Sequence, residues 1–408
     1  MNKKKSNIMY KSKYIVLILS VLLFACNNLD ISNDQSKSFI KFLSPSNSNI
    51  GKDVIQYGDG FVVLATVTSE KLNTEIVRYQ IDQYGNIKTD GVDTLSPVRG
   101  GNNTASKLML TSDGGFIVTG TVEDTVPNII NETNNNIYIE KFNSSFTSEW
   151  VQIVGTDDNE ECGSIKGDYS GYIVVGSTDA AATNNPRGNK DVYLIKLDAA
   201  GNIEWTENHG GEGDEYASDV VAIDGGYLLV GTTNELHGDA RNDDQILVIE
   251  TNYVGGSPDN AFYGSDKNDY GATITKIDTG GYIITGSVED AGNNFNVYAV
   301  KVGEDIHDVI WTENYGTTQL NDQGFDMVRS NGGFIIVGTY GLPSGPAAYF
   351  LKIGGESEIL NEHAYGGYGQ IIYAIEPTYD GGFIMTGSSG PEGNEKIYLI
   401  KVNSEGEL

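Results

Sequence analysis

Thiol and imidazole groups are scarce in this sequence. Its 408 residues include only two cysteines, Cys26 and Cys162, which provide neither a disulfide framework nor a cysteine metal site. The four histidines, which lack the spacing of metal ligands, are His209, His237, His307 and His363. A metal centre built from these two residue types is therefore not expected.

Basic residues are also few. The chain has 26 Lys and Arg against 56 Asp and Glu, a formal net charge of −30. Five of the lysines precede Cys26, so the remaining chain has 21 basic and 56 acidic residues and a net charge near −35. Such a surface repels nucleic acid phosphates and anionic lipid headgroups, so neither is an expected partner.

Familiar catalytic motifs are missing. The sequence contains no Gly-x-Ser-x-Gly, P-loop or dinucleotide fingerprint, and no segment has a sustained helical period. These absences make a non-catalytic protein the favoured interpretation. A glycosidase-like carboxylate pair stays open as an alternative, because acids are so numerous that no pair stands out.

The N-terminus has the order of a secretory signal peptide. Five lysines are followed by an apolar run at 15–25, which is shorter than the ~20 residues that a membrane-spanning helix needs. The end of this run, "LFAC" at 23–26, resembles a bacterial lipobox. The resemblance implies cleavage after residue 25 and diacylation of Cys26, whereas the alternative is an ordinary signal peptide with an incidental cysteine.

The segment at 26–37 is polar and is expected to be a flexible tether. Asn27, a non-acidic residue after Cys26, fits sorting of a lipoprotein to the outer membrane. The domain would then lie in the cell envelope, facing either the periplasm or the outside.

A repeat dominates the rest of the chain. "DGGFIVTG" at 113–120 has near-copies at 224–231, 279–286, 331–338 and 380–387. The aromatic residues that follow the glycine pairs recur every 49 to 56 residues, at Phe61, Phe116, Tyr172, Tyr227, Tyr282, Phe334 and Phe383. Each copy has four short apolar runs rich in β-branched and aromatic residues, which predict strands. Seven copies of four strands predict an all-β, seven-bladed β-propeller over residues 38–408.

The ends of the chain predict how the ring closes. The seventh copy stops after its third strand, while "SFIKFL" at 38–43 precedes the first copy. Trp150 and Trp205 each lie 22 residues before the next aromatic of the repeat, and Phe39 lies 22 residues before Phe61. Residues 38–43 are therefore expected to be the outer strand of the last blade, which removes the exposed strand edges.

The segment "WTENHGGEGDEYASDVVAIDGGYLLVGTTN" at 205–234 is similar to the short β-propeller repeat family of bacterial surface and secreted proteins. The similarity covers roughly residues 38–408. It implies a propeller domain without a common catalytic activity.

Acidic or amide pairs recur in the crossovers between blades, just before each inner strand. They predict a ring of oxygen atoms around the mouth of the central channel, from Glu160, Asp214, Asp269 and Asp322 among others. Such oxygens suit Ca²⁺, and the candidate ligands are Asp214, Asp269 and Asp322. No loop has the standard calcium spacing. The alternative is that these side chains only satisfy turn amides.

Tyrosines accompany the crossovers. Tyr216, Tyr270 and Tyr368 could stack on sugar rings, or they could pack between blades. The favoured hypothesis is a lipid-anchored, monomeric propeller that binds an envelope protein or a glycan. The binding surface would be the end of the propeller that carries the crossovers between blades. A carbohydrate-active hydrolase or lyase with acids at the channel mouth, and a structural subunit of an envelope complex, are the two alternatives.

Overall fold

The computed structural model describes residues 38–43, 48–70, 73–95, 101–125, 133–180, 190–234, 243–317 and 319–408. The predicted signal peptide, the tether and Cys26 lie outside these ranges. Every regular element within them is a β-strand, so none of them contains a helix of the length and apolarity needed to cross a membrane.

The strands form seven antiparallel sheets of four strands each, which confirms the all-β propeller. Blade 1 has β2 (Asn49–Tyr57), β3 (Gly60–Thr68), β4 (Thr74–Ile81) and β5 (Ile87–Thr94). Blade 2 has β6 (Thr104–Leu110), β7 (Phe116–Thr125), β8 (Thr133–Phe142) and β9 (Ser148–Val154). Blade 3 has β10 (Glu160–Gly167), β11 (Gly171–Thr178), β12 (Asp191–Asp198) and β13 (Ile203–His209). Blade 4 has β14 (Glu215–Ile223), β15 (Gly226–Thr233), β16 (Gln245–Asn252) and β17 (Asp259–Tyr263).

The remaining blades repeat this order. Blade 5 has β18 (Asp269–Lys276), β19 (Tyr282–Glu289), β20 (Phe295–Val302) and β21 (Val309–Tyr315). Blade 6 has β22 (Gln323–Ser330), β23 (Gly333–Tyr340), β24 (Ala347–Gly354) and β25 (Ile359–Gly366). Blade 7 has β26 (Gln370–Pro377), β27 (Phe383–Ser389), β28 (Lys396–Val402) and the N-terminal β1 (Phe39–Leu43).

The N-terminal strand closes the ring, as the sequence predicts. β1 pairs antiparallel with β28, with Phe39 opposite Lys401 and Leu43 opposite Ile397. The side chain of Leu43 is buried in the apolar cluster between blades 7 and 1. The first described strand of the chain thus covers the edge that the last strand would otherwise expose.

The core lies between the blades. Seven apolar clusters are present in the described residues, and each draws its side chains from two consecutive blades. The middle strands are apolar on both faces because each face packs against another blade; every residue of β15, for example, is buried. The outer strands, such as β13, have no blade beyond them and are largely exposed.

The repeated tryptophans pack against the next blade. A Cβ atom on Gly201 would lie 2.5 Å from the Trp150 ring, and one on Gly255 would lie 2.7 Å from Trp205. Phe39 occupies the same place above Gly85 of blade 1. The prediction that Phe39 replaces the tryptophan is therefore confirmed.

The two ends of the ring differ. One end, here called the hairpin face, has the tight "DGG" turns, where Gly114 and Gly225 adopt positive φ angles of 82° and 112°. The other end, the crossover face, has the connections between blades and the loops between second and third strands. In three of these loops, residues 126–132, 181–189 and 235–242 lie outside the described residues.

Candidate functional site: the channel mouth on the crossover face

A buried polar residue lies at, or directly before, the first residue of every inner strand. We call these seven the anchor residues, and each is at most 9% exposed: Asn49, Asn103, Glu160, Glu215, Asp269, Asp322 and Gln370. The oxygens of five of them accept hydrogen bonds from amides of the crossover just before them: Glu160, Glu215, Asp269, Asp322 and Gln370. Glu160 accepts from the Thr156 amide at 2.9 Å, and Asp322 accepts from the Thr317 amide at 2.6 Å.

The anchors also reach the second strand and the residue beyond it. Asp322 Oδ1 accepts from the Gly341 amide at 2.7 Å, and Glu160 Oε1 accepts from Thr178 Oγ1 at 2.8 Å. One side chain therefore ties a crossover to its own blade and satisfies buried amides that would otherwise be unpaired. This is the structural role that the sequence left open as the alternative to ligand binding.

The sequence predicted the ring around the channel mouth one residue too early in each inner strand. Glu160, Asp269 and Asp322 do not ring the channel mouth but are buried at the base of the crossovers. Asp214 is half-buried and accepts a hydrogen bond from the Lys190 amide at 3.2 Å, so it spans the seam between blades 3 and 4. The side chains of successive strand residues point to opposite sides of the strand. The side chain that faces the mouth is therefore that of the residue following each anchor.

These following residues form what we call the mouth ring: Ile50, Thr104, Glu161, Tyr216, Tyr270, Gln323 and Ile371. Tyr216 and Tyr270 lie on adjacent blades, are 37% and 39% exposed, and line one cavity. The sequence predicted both tyrosines as candidate binding residues, and Glu161 is the second member of the acidic pair that begins at Glu160. Tyr368, at 79% exposed, is not among the residues that line this cavity.

Polar and aromatic neighbours support the two mouth tyrosines. Lys190 Nζ lies 5.0 Å from the centroid of the Tyr216 ring and donates a hydrogen bond to Glu161 Oε1 at 2.7 Å. The ring of Phe295 lies 5.5 Å from that of Tyr270. Burial, together with the adjacent Asp244 carboxylate, raises the pKa of Tyr270 to about 12, so its hydroxyl is neutral and can donate at neutral pH.

Below the mouth, the channel widens into a cavity of about 490 Å³ lined by residues of all seven inner strands. Each inner strand has a register shift at this level. The bulged residues are Lys52, Ser106, Gly163, Ser218, Ala272, Phe325 and Tyr373. The bulged side chains are small on blades 2 to 5 and large on blades 6, 7 and 1. The cavity therefore opens on the side of the small residues, opposite a wall formed by the large ones.

A network of charges forms the floor of the cavity. Lys107 Nζ lies 3.5 Å from Asp326 Oδ2, and Lys166 Nζ lies 3.5 Å from Asp219 Oδ1. Burial alone would lower the pKa of Lys107, but the carboxylates of Asp326 and Asp53 outweigh burial and raise it. The lysine therefore stays charged. The pKa of the nearby Asp53 carboxyl is nevertheless raised, mainly because that side chain is buried.

Cys162 also lines this cavity. It is a free thiol of intermediate exposure, and burial raises its pKa to about 11. A protonated thiol is a poor nucleophile, which leaves Cys162 a lining group in this channel.

No three His, Cys, Asp or Glu side chains come together as a possible metal site anywhere in the part of the chain that the structure describes. Asp214, Asp269 and Asp322 belong to three different crossovers, and the latter two use both carboxylate oxygens on protein donors.

The fold and this site define a seven-bladed β-propeller with a ligand-sized axial pocket. Comparison with solved structures supports that architecture. A protein of unknown function from Dyadobacter fermentans matches with a TM-score of 0.54 at 10% identity, over 89% of this chain and 97% of the other. Its similarity shows the fold alone.

Two further solved structures have lower scores. An α-L-arabinanase from Penicillium chrysogenum matches with a TM-score of 0.48 at 13% identity, over 91% of this chain and 99% of its own. An acylaminoacyl peptidase from Pyrococcus horikoshii also matches with a TM-score of 0.48, at 10% identity over 86% of this chain and 51% of its own. No protein-family model and no curated protein sequence matches the chain.

The anchor Asp269 makes a measurable prediction about pH. Burial raises the pKa of its carboxyl from 3.8 to about 6. A raised carboxyl pKa stabilises the fold fully below pH 4, and this contribution is lost as the pH rises through 6. Asp269→Asn, which copies the anchors of blades 1 and 2, has no such loss. Between pH 4 and pH 7, the free energy of unfolding of this variant should therefore rise relative to wild type by on the order of 2 kcal/mol.

Urea denaturation at several pH values checks this expectation. Asp59→Asn, on an exposed turn of the hairpin face, is the matched control and should track the wild type. Parallel profiles of Asp269→Asn and wild type between pH 4 and pH 7 would contradict it.

Proposed function

We propose that this protein is a lipid-anchored cell-envelope propeller that binds a glycan at the channel mouth without catalysing a reaction. Attachment through diacylated Cys26 and an outer membrane location are parts of the same proposal. They are supported by the signal-peptide pattern and the "LFAC" sequence.

The observation that carries the proposal is the pair of half-exposed tyrosines above the axial pocket. Tyr216 and Tyr270 line one cavity of about 490 Å³ and are 37% and 39% exposed. Small-molecule sites are concave, apolar or aromatic on their walls, and contain a few polar groups that fix orientation. A sugar ring matches this combination, because its C–H face packs on an aromatic ring while its hydroxyls bond to groups such as Glu161 and Lys190.

The carboxylates around the pocket favour binding over hydrolysis. Glu161 is held by Lys190, and Asp326 accepts hydrogen bonds from the amides of Met327 and Ile375 at 2.9 and 3.1 Å. Glycoside hydrolysis needs one protonated and one ionised carboxyl that both face the substrate. Acids that are already bonded to amides and lysines are better suited to holding the channel in shape.

Replacing the mouth tyrosines should weaken binding. A stacked aromatic ring contributes about 1 kcal/mol beyond the burial of its area, so Tyr216→Ala and Tyr270→Ala should each lower affinity about tenfold. A glycan array identifies ligands, and titration calorimetry then measures the affinities. Tyr379→Ala is the control, because that tyrosine is 76% exposed on the hairpin face.

The contrary outcomes are distinct. Equal affinities for wild type and both mouth variants would remove the mouth from the binding site. Turnover of a bound glycan by the purified protein, lost on replacing an acid that lines the cavity, would establish the hydrolase alternative. Stoichiometric purification with envelope proteins and no glycan binding would favour a structural subunit.

A further inference from the structure

The charges that line the axial cavity are almost completely balanced. Its five charged lining residues are Lys52, Lys107, Glu161, Asp219 and Asp326. Four of them have an opposite charge within 4 Å: Lys107 pairs with Asp326, Asp219 with Lys166, and Glu161 with Lys190. Lys52 alone among the five has no hydrogen bond or ion pair in the described part of the chain.

Lys52 occupies a place where no other blade puts a charge. It is the bulged residue of the blade 1 inner strand, and the residues aligned with it on the other blades are neutral. On blade 2 the register shift spans two residues, of which Ser106 aligns with Lys52 and Lys107 is the next one along the strand. Its ammonium lies 5.2 Å from the centroid of the Tyr373 ring, and the Phe325 ring lies 5.5 Å from Tyr373. The wall of large side chains is thus two rings in tilted contact with a cation beside them.

This cation is poorly solvated. Burial lowers the pKa of Lys52, and no carboxylate opposes that effect. The Tyr373 ring offsets only part of this cost, so the charge of Lys52 still destabilises the unliganded protein. An anionic group of a ligand would restore the missing interaction, and the ion pair would be strong because the channel wall excludes water from it.

We propose, resting on the glycan-binding function above, that the natural ligand is an acidic glycan whose anionic group binds Lys52. The negative net charge of the chain repels such a ligand at long range, but salt screens this repulsion beyond about 8 Å, whereas the contact with Lys52 lies inside the cavity. One sugar of the chain enters the cavity from the mouth and packs against Tyr373 and Phe325. The next sugars contact Tyr216 and Tyr270. A carboxylate of a uronic acid and a sulfate ester share the chemistry that Lys52 recognises.

The test uses matched ligands that differ in charge alone. Oligogalacturonides and their methyl esters form one pair, and a sulfated galactan oligosaccharide with its desulfated form makes the second. Wild type should bind the charged member of at least one pair about tenfold or more tightly than the neutral member. Whichever pair shows the preference identifies the anion as carboxylate or sulfate.

Variants of Lys52 then locate the effect. Lys52→Gln should bind both members of the pair equally, whereas Lys52→Arg should keep the preference, because it keeps the charge. Lys276→Gln is the matched control, since it removes the same charge from the exposed end of an inner strand on the hairpin face. Thermal unfolding of each variant shows that the fold is retained.

The outcomes separate this inference from the proposed function. If wild type binds neutral and charged members equally, or if Lys52→Gln keeps the full preference, the acidic-ligand inference is wrong and glycan binding stands. If a broad glycan array shows no binding to wild type, the proposed function itself is wrong.

Discussion

A chain that begins at Ser48, and so lacks β1, should not form a stable propeller. Without this strand, the edge of β28 is exposed, and the clusters on both sides of blade 7 lose Phe39, Ile40 and Leu43. Burial of a large apolar side chain stabilises a fold by about 1.5–3 kcal/mol, so the loss should reach roughly 5 kcal/mol or more. Because total stabilities are about 5–15 kcal/mol, most of the cooperative unfolding transition should disappear.

Comparison with a chain that begins at Ser38 isolates the effect of the strand. Urea unfolding and gel filtration should show a stable monomer for the longer chain and a destabilised, aggregating species for the shorter one. Addition of a peptide with the sequence "SFIKFL" should restore the transition by pairing with β28 in trans. Equal unfolding midpoints for the two chains would show that the ring does not need its closure strand.

The architecture could be predicted from the sequence because the chain contains seven copies of one repeat. A single "DGG" turn is a weak signal, but seven aromatic positions at nearly constant spacing fix both the strand pattern and the number of blades. Ring closure could be predicted because the seventh copy stops after its third strand, whereas residues 38–43 add a strand before the first copy. Each of these steps needed only spacing, which does not depend on side-chain contacts.

The mouth ring was harder to place because a strand alternates sides with every residue. A shift of one position moves a side chain from the mouth to the interior, as happened with Asp269 and its neighbour Tyr270. A usable signal was present in the repeat itself. The anchor position carries an amide or carboxylate in all seven copies, whereas the next position varies from Ile50 to Glu161 to Tyr216.

The axial pocket could not be predicted at all. Its shape depends on which residue is bulged out of each inner strand, and the bulge follows from hydrogen-bond register rather than from composition. Only when Lys52, Phe325 and Tyr373 are placed at one level does the asymmetry of the channel become visible. The sequence around Lys52 does not show that its charge lacks a compensating carboxylate, because its neighbours at that level come from other blades.

The seam between blades 1 and 2 differs from those that contain Trp150, Trp205 and Trp311, because blade 1 has no tryptophan on its outer strand. The missing ring is supplied by Phe146 in the β8–β9 turn, which adopts a φ of 63° where the corresponding turns have Gly201 and Gly255. A side chain in this conformation costs about 1–2 kcal/mol. Such a cost requires compensation from the surrounding contacts.

Arg78 of β4 provides that compensation. Its side chain is 3% exposed, and its guanidinium lies 5.6, 4.6 and 4.9 Å from the ring centroids of Phe116, Phe142 and Phe146. It donates one hydrogen bond to Asp93, while Nε and Nη1 have no acceptor among the residues that the structure describes. The three ring faces take the place of the missing acceptors, since each attracts a cation that water no longer solvates.

Arg78→Met should therefore lower the free energy of unfolding by about 3 kcal/mol, although it keeps most of the side-chain volume. Phe146→Gly should also destabilise the protein, but by less, because it relieves the backbone strain. Urea denaturation of both variants and the double variant measures their coupling, which should be about 1 kcal/mol or more. Additive losses, or an Arg78→Met variant as stable as wild type, would mean that the rings fill space without stabilising the charge.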